Sequence, residues 1–460
     1  MTASPPALPP ELITTIVDEL RDDYNSLAAC ALVDSDFCAA AQPHFFRAIW
    51  VHRANLRFYD IGQRGLHRGV YMPSGTFRAV AKIFARSRHL AGYVKDLSLD
   101  LPDSTNEDVP LTEIVNATSS NLERLLISGL GVEWTQLSSP LKDAILGAIG
   151  NRTQRKLHLL NLRNLPAKEV YSAMQRVEVL SIHSSTFAFP VPIEDEFPDF
   201  LPPQITPPNS SIRHLILSNG FDDTFTLLLS PDAPVLCNVS KLYLHARGFT
   251  HAQRLLNKIS NTLEDLTLDC ADFRHPFTLQ ELPNLQSLTL RMSRGIARNL
   301  PSGLPDTLLN LTLTPRTSLT LLFELQSRVS EPPWDLSFST SVANINFGLG
   351  TGLVGSVDLL RTRFQLSFQD PFPSLSPNVG VGASAPALDH PRKMAYWQER
   401  AFEEFGVGMR RIFGGDSSHD TAPSSSNEDD AADVSGEAPI RLAKVKVEWI
   451  QEGTYVARLP

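Results

Sequence analysis

Residues 261–269, NTLEDLTLD, and residues 284–292, NLQSLTLRM, share one pattern of leucines. In each copy a first leucine is followed three residues later by a second, and two residues later by a third. The two sets are Leu263, Leu266 and Leu268, and Leu285, Leu288 and Leu290. Because alternate side chains of a strand point to the same side, the last two leucines of each set predict a short strand with one buried face.

The same apolar pattern occurs nine times, and successive central residues are 28, 35, 20, 35, 27, 24, 22 and 23 residues apart. Those central residues are Leu97, Leu125, Leu160, Leu180, Leu215, Leu242, Leu266, Leu288 and Leu311. A weaker tenth copy is centred on Ile345. Most of the spacings fall in the range of about 20–29 residues that is typical of leucine-rich repeats. One unit cannot bury its apolar side alone, so the pattern predicts a solenoid with a parallel β-sheet over residues 93–347.

The predicted array is interrupted and then followed by segments of different composition. Residues 183–211 contain seven prolines and predict a long loop, for which a functional role and disorder are both open. After the array we expect a Gly/Pro-rich loop at 348–392, a C-terminal helix at 393–413 and an acidic disordered linker at 414–438. A capping strand is predicted at 439–460, where Leu442, Val445 and Val447 repeat the spacing.

The N-terminal residues predict a small helical module over residues 1–50. Residues 8–20, LPPELITTIVDEL, place two prolines before an apolar stripe at helical spacing. Two further short helices, SLAACALV and DSDFCAAAQ, are predicted, with Asp34 or Ser35 as the cap of the third. Residues 51–92 are expected to form a helical linker into the repeats.

At these residues the chain resembles the F-box family. The opening Leu-Pro-x-Glu-Leu-Ile, the Ala-Leu-Val that ends at Val33, the aromatic Phe37 and the closing Phe-Phe-Arg at Phe46 stand in the family's order. Together with the repeats, residues 8 to about 347 resemble F-box leucine-rich proteins of mushroom-forming fungi. The resemblance implies docking to a Skp-type adaptor and cullin of a ubiquitin ligase. The adaptor-binding residues it implies are Leu8, Pro9, Glu11, Leu12, Ile13, Ile16, Val17, Leu20, Leu32, Val33, Phe37 and Phe46.

Strand alternation identifies the side chains that are expected to face outward from the sheet and bind a protein substrate. In the middle repeats we predict a substrate face made of His214, Ile216, Ser218, Tyr243, His245, Asp269 and Arg291. Ile216 and Tyr243 are unusual there, because a solvated face has little reason to carry large apolar groups. Tyr and Arg are also frequent anchors of protein interfaces.

Charge and composition exclude several other classes of function. Net charge is −9, and the acidic tract at 414–438 holds seven acids and no Lys or Arg, so the remainder is close to neutral. We therefore expect no nucleic-acid partner. No apolar run reaches the length needed to cross a bilayer, and the first residues have neither the basic nor the apolar region typical of a signal peptide. We therefore expect no membrane partner and an intracellular protein, cytoplasmic or nuclear. Four scattered cysteines predict neither disulfides nor a metal site.

One motif points to an enzyme instead. Gly350, Gly352 and Gly355 have the spacing of a dinucleotide-binding loop, and Asp370 lies twenty residues after the first. The residues that follow are too few for the crossover helix of that fold. We therefore expect no catalytic residue and no cofactor. The sequence favours an α/β substrate-recognition subunit of a ubiquitin ligase, with a repeat scaffold that lacks any ligase role as the alternative.

Overall fold

The predicted strands form parallel sheets, and the α/β class is confirmed. The computed structural model describes residues 8–21, 23–53, 74–129, 131–189, 209–220, 222–246, 249–269, 282–293, 317–328, 359–369 and 444–451. The chain divides into two compact units, Met1–Val239 and Ser240–Pro460. No helix among the described residues has both the length and the apolar character needed to cross a bilayer.

The described part of the first unit contains nine α-helices and nine strands. The helices are α1 Pro10–Glu19, α2 Tyr24–Ala31, α3 Ser35–Phe45, α4 Phe77–Arg86, α5 Arg88–Ala91, α6 Asp108–Thr118, α7 Ser139–Ile149, α8 Ala167–Met174 and α9 Asp222–Leu229. The strands are β1 Ala48–His52, β2 Ser74–Thr76, β3 Asp96–Asp100, β4 Arg124–Ser128, β5 Lys156–Leu160, β6 Leu165–Pro166, β7 Val179–His183, β8 Phe187–Ala188 and β9 His214–Gly220. The main sheet has the order β9-β7-β5-β4-β3-β1-β2, and β6 pairs with β8.

The core of the first unit lies between this sheet and the helices that connect its strands. Leu97, Leu125, Leu180 and Leu215 are buried and stand in one row across the sheet. The helices α4, α6, α7 and α8 pack against one another in chain order, and each buries apolar residues of its own. Each buried leucine contributes roughly 1.5–3 kcal/mol relative to an exposed one, so the row stabilises the parallel arrangement.

One predicted repeat is wrong in register. The third copy was centred on Leu160, but Leu157 pairs with Leu125 on one side and with Leu180 on the other. The position three residues earlier is taken by Gln154, which is buried, where the other copies have an aliphatic residue. With its amide oriented for hydrogen bonding, Gln154 donates to the carbonyl oxygens of Ala148 and Ile149. A polar residue therefore fills an apolar position because the preceding helix supplies its partners.

A second difference lies at the start of the sheet. The helical module was predicted to extend to residue 50, but β1 pairs in parallel with β3, with Ile49 opposite Leu97. Ala48 to His52 therefore belong to the sheet, and the helices of the module end at Phe45. Alternating burial of Ile49 and Val51 fits a strand that shares the core of the repeats.

The second unit continues with one described helix and six described strands. They are β10 Lys241–Ala246, α10 Phe249–Ile259, β11 Asp265–Asp269, β12 Ser287–Ser293, β13 Ser318–Arg328, β14 Leu359–Gln369 and β15 Lys444–Gln451. All neighbouring pairs from β10 to β15 are parallel, and Leu242, Leu266 and Leu288 occupy one row.

Several predictions for the second unit fall on residues that the structure does not describe. They are the copy centred on Leu311, the copy centred on Ile345, the helix at 393–413 and the linker at 414–438. The strand that pairs with β12 is β13, which the spacing did not predict. Within the predicted loop 348–392 lies β14, and within the predicted capping segment lies β15, which pairs with β14.

Asparagine side chains join the turns that precede successive strands. In the first unit Asn121 donates to the carbonyl oxygen of Gly92 at 2.9 Å, and Asn238 donates to that of Ser210 at 2.7 Å. In the second unit Asn284 donates to the carbonyl oxygen of Asn261. Each bond satisfies a turn carbonyl and fixes the distance between neighbouring repeats.

Candidate functional site

The first helix exposes one apolar pair and buries another. Pro9 and Pro10 are compatible with the start of α1. The N–H groups of the first helical turn have no partner within the helix, so a residue without an N–H loses no hydrogen bond there. Ile13 and Val17 are 4% and 0% exposed and form a core with Leu27 and Ala41. Leu12 and Ile16, each one position earlier, are 51% and 42% exposed. Residues four apart share a helix side, so α1 has a core side and a separate apolar outer side.

The next two helices add exposed apolar residues to the same module. The Asp23 carboxylate accepts hydrogen bonds from the backbone N–H groups of Asn25 and Ser26 and so caps the N-terminus of α2. Asp34 caps α3 in the same way. Between the two helices, Leu32 is 86% exposed and Val33 is 65% exposed. The caps hold this corner as an ordered turn although its two apolar side chains lie in solvent.

The twelve predicted adaptor-binding residues therefore divide into three groups. Leu8, Leu12, Ile16, Leu32 and Val33 are exposed, and they are called the exposed apolar residues below. Pro9 and Glu11 are also exposed. Ile13 and Val17 are core, Leu20 and Phe37 are partly buried against that core, and Phe46 is half-buried. The sequence could not separate these groups because the stripe on α1 is continuous and only the packing of α2 and α3 decides which side is covered.

Four of the predicted substrate-binding residues come together in the second unit. The phenolic oxygen of Tyr243 donates to Oδ2 of Asp269 at 3.3 Å and accepts from Nη1 of Arg291 at 2.8 Å. The guanidinium carbon of Arg291 lies 5.7 Å from the centre of the Tyr243 ring. Nδ1 of His245 lies 3.9 Å from Oδ2 of Asp269. These four residues form the polar cluster.

The polar cluster is more enclosed than a solvent-facing row would be. His245 and Asp269 are buried, and Tyr243 and Arg291 are half-buried. Burial raises the pKa of the Tyr243 phenol well above its ordinary value of 10, although Arg291 opposes the shift. The phenol therefore stays protonated and can donate to Asp269 while it accepts from Arg291. The cluster can offer a partner a cation stacked on an aromatic ring.

The other three predicted substrate-binding residues lie on β9 in the first unit. His214, Ile216 and Ser218 alternate along the strand with buried Leu215 and Leu217. All three are half-buried, as expected for side chains on the side of the strand away from the helices. The alternation predicted from the sequence therefore holds on this strand.

Sequence reasoning missed one surface feature, which lies on α4. Arg78, Lys82 and Arg86 are exposed and stand four residues apart, whereas Phe77 and Phe84 are buried. The net charge of the whole chain concealed this basic row, because the acids lie elsewhere in the sequence. A charge count over short windows would have found it.

Neither metal ligands nor a dinucleotide-binding unit is assembled by the described residues. Among them no three His, Cys, Asp or Glu side chains group closely enough to hold a metal ion. The glycines at 350–355 lie outside the described residues, but β14 begins at Leu359 and leaves three residues after Gly355. Three residues cannot form a crossover helix.

Comparison with known protein-family models gave no match, and comparison with curated proteins gave none either.

Proposed function

We propose that this protein is the substrate-recognition subunit of an SCF-type cullin-RING ubiquitin ligase. In this proposal the N-terminal F-box-like module docks a Skp-type adaptor, and a leucine-rich-repeat solenoid binds a protein substrate. The observation that carries it is the exposure of Leu8, Leu12, Ile16, Leu32 and Val33 in a module that already has its own core.

Exposed apolar side chains of this size favour a partner. Seven large apolar side chains are exposed among the described residues, and five of them lie between residues 8 and 33. Burying one leucine at an interface contributes roughly 1.5–3 kcal/mol. Five residues in one small module can therefore support a specific complex, whereas single exposed apolar residues scattered over a surface need no explanation.

The mechanism is proximity. The repeats would hold the substrate while the module holds the ligase, which raises the effective concentration of substrate lysines at a ubiquitin-conjugating enzyme. The polar cluster supplies the kind of anchor, a Tyr stacked with an Arg, that often dominates protein interfaces. No catalytic residue of this chain is required, because the chemistry belongs to the partners.

Binding of a purified Skp-type adaptor tests the proposal. Leu12→Asp with Ile16→Asp places two charges on the exposed side of α1 and should abolish binding without lowering the melting temperature. Val109→Asp is the matched control, because Val109 on α6 is 65% exposed and lies outside the module. This control should bind the adaptor like the unmutated protein.

One observation, the packing of the N-terminal module, favours a second function. In this alternative the protein is a repeat scaffold with a degenerate F-box and no ligase role. Ile13, Val17 and Phe37 pack within the module, and His89 on α5 is hydrogen-bonded to Gln42 on α3 at 3.3 Å. The module could therefore serve only to cover the first repeat. Failure of the unmutated protein to bind any Skp-type adaptor would favour the scaffold.

A further inference from the structure

Positive charge is concentrated in the segment that links the helical module to the repeats. Residues 47–95 contain ten Lys and Arg residues and a single acid, Asp60, in a chain whose net charge is −9. The concentration is therefore opposite in sign to the chain as a whole. Part of the segment is α4, which the structure describes completely.

The helix α4 directs its bases away from the core. Phe77, Val80 and Phe84 are buried, and α4 packs against α6. Arg78, Lys82 and Arg86 form the outer row, at intervals of four residues, and all three are exposed. At a rise of about 1.5 Å per residue, neighbouring bases of the outer row are about 6 Å apart along the helix.

The three bases of the outer row have no acidic partner in the described part of the chain. Bases at the starts of the strands do have one, since Lys95 pairs with Glu123 at 2.7 Å and Arg155 pairs with Glu178 at 3.7 Å. Glu113 is the exposed acid on the neighbouring α6, and it forms no ion pair with the outer row. Like charges four residues apart on a helix repel each other, so the row disfavours its own helix until an anion neutralises it.

We infer that the outer face of α4 is a docking surface for an acidic polypeptide segment of a partner protein. Acids two apart in an extended chain, or four apart in a helix, have the same spacing of about 6–7 Å as the outer row. Ile83 lies beside the row and is 43% exposed, so an apolar residue next to the acids gains a contact. Charge complementarity and this one apolar contact define the ligand.

The same surface suits other polyanions less well. Single-stranded nucleic acid binds through aromatic platforms, but both phenylalanines of α4 are buried and its exposed side carries none. A helix that lies in a membrane surface needs several large apolar residues on the side that inserts, and α4 exposes Ile83 alone of that kind. The outer row therefore favours a polypeptide.

Fluorescence anisotropy with the full chain and a labelled poly-glutamate peptide tests the inference. The unmutated protein should bind saturably, and binding should weaken with salt because the Debye length falls to about 10 Å at 0.1 M. Reversal of the outer row by Arg78→Glu, Lys82→Glu and Arg86→Glu should weaken binding about tenfold or more. The neutral variant Arg78→Gln, Lys82→Gln and Arg86→Gln should also lose binding, which separates loss of attraction from added repulsion.

The matched control changes the same charge at scattered positions. Arg152, Lys168 and Arg213 are exposed bases of the first unit, one on α8 and the others in the connections before β5 and β9. The variant Arg152→Glu, Lys168→Glu and Arg213→Glu should leave binding within about twofold. Melting temperatures of all three triple variants report on folding. A peptide of alternating Glu and Leu should bind tighter than poly-glutamate, and Ile83→Ser should remove that advantage.

Three results would overturn the inference. The first is no saturable binding of either peptide by the unmutated protein. The second is equal loss of binding in the outer-row variant and the scattered control, which would indicate attraction to the chain as a whole. The third is tighter binding of an oligo-thymidine or of phosphatidylserine vesicles than of the peptides, with the same dependence on the outer row, which would assign the face to nucleic acid or to membrane.

Discussion

The guanidinium of Arg291 on β12 donates a 2.8 Å hydrogen bond to the phenolic oxygen of Tyr243 on β10. Between these two strands lies β11, whose Asp269 accepts from the same phenol. At 4.7–4.9 Å between neighbouring strands, the Arg291 side chain reaches across about 10 Å to make this bond. The two residues therefore join three consecutive strands, and Tyr243 is the hydrogen-bonded centre of the polar cluster.

Removal of the phenolic oxygen should measure how much this junction stabilises the fold. Tyr243→Phe keeps the ring under the guanidinium but leaves Arg291 and Asp269 without their shared partner. We expect a loss of about 1.5–3 kcal/mol in the free energy of unfolding, because hydrogen bonds to charged groups are worth about that much. Urea denaturation measures it. Tyr93→Phe, at a half-buried position on the first unit, should change it by less than about 0.5 kcal/mol; an equally small effect at Tyr243 would mean that the bond is absent in solution.

Alkaline pH should destabilise the protein through the same residue. The pKa of Tyr243 is raised in the folded chain because the phenol is buried, whereas in the unfolded chain it is about 10. Below about pH 10 Tyr243 is protonated in the folded and in the unfolded chain, so its full contribution to stability is present. Above about pH 10 the unfolded chain loses the proton first, so the free energy of unfolding falls as pH rises. The urea midpoint of the unmutated protein should therefore drop more between about pH 9 and pH 11 than that of Tyr243→Phe. Parallel curves would contradict the assignment.

Strand positions and the parallel pairing could be predicted because each repeat has the same local pattern. The buried row through Leu242, Leu266 and Leu288 follows directly from the L-x-L spacing. Leu157 could not be assigned to the central position from the sequence, because Gln154 stands where the other copies have an aliphatic residue. The Gln154 amide is tolerated there because it donates hydrogen bonds to carbonyl oxygens of the preceding helix. Whether a polar residue can replace an apolar one in a repeat depends on which groups lie next to it in the folded chain, and residue spacing does not show this.

Site residues were predicted less completely than strands. Periodicity placed Tyr243 and Arg291 on the outward side, but it could not show that the two side chains would bond to each other instead of to solvent. On α1 periodicity could not distinguish Leu12 from Ile13, which are 51% and 4% exposed because α2 and α3 cover only one side of the helix. Both the hydrogen bond between Tyr243 and Arg291 and the difference in exposure between Leu12 and Ile13 depend on which elements lie next to each other in the fold.

Loss of an asparagine that bridges two turns should destabilise the repeats. The side-chain amide of Asn238 donates to the carbonyl oxygen of Ser210 at 2.7 Å. Asn238→Ala leaves that carbonyl without this donor, and we expect a loss of about 1 kcal/mol in the free energy of unfolding. Asn116→Ala on the exposed side of α6 is the control and should not destabilise the protein, because alanine is the better helix former. If calorimetry gave equal melting temperatures for the two variants, the amide bridge would contribute nothing.

Replacement of glycine by alanine should lower the free energy of unfolding at one position and raise it at another. Gly129 follows β4, where its N–H donates to the carbonyl oxygen of Leu160 at 2.7 Å and its carbonyl accepts from Arg53 at 3.2 Å. A Cβ atom at Gly129 would collide with the backbone oxygen of Asn161 and approach Cα of Leu162 to 3.0 Å. The atoms that this Cβ would meet are all main chain, so they cannot move aside as a flexible side chain would.

Gly129→Ala should therefore lower the free energy of unfolding by about 1–3 kcal/mol, the usual cost of adding a methyl group to a packed site. Gly147 lies within α7, and a Cβ atom there would have no neighbour within 4 Å. Gly147→Ala should raise the free energy of unfolding by about 0.4–1 kcal/mol, because alanine restricts the unfolded chain and favours the helix. Urea denaturation of the two variants gives both values. A stabilising effect at Gly129 would mean that the turn after β4 relaxes away from Asn161, and that the close approach of the two repeats is not required by the fold.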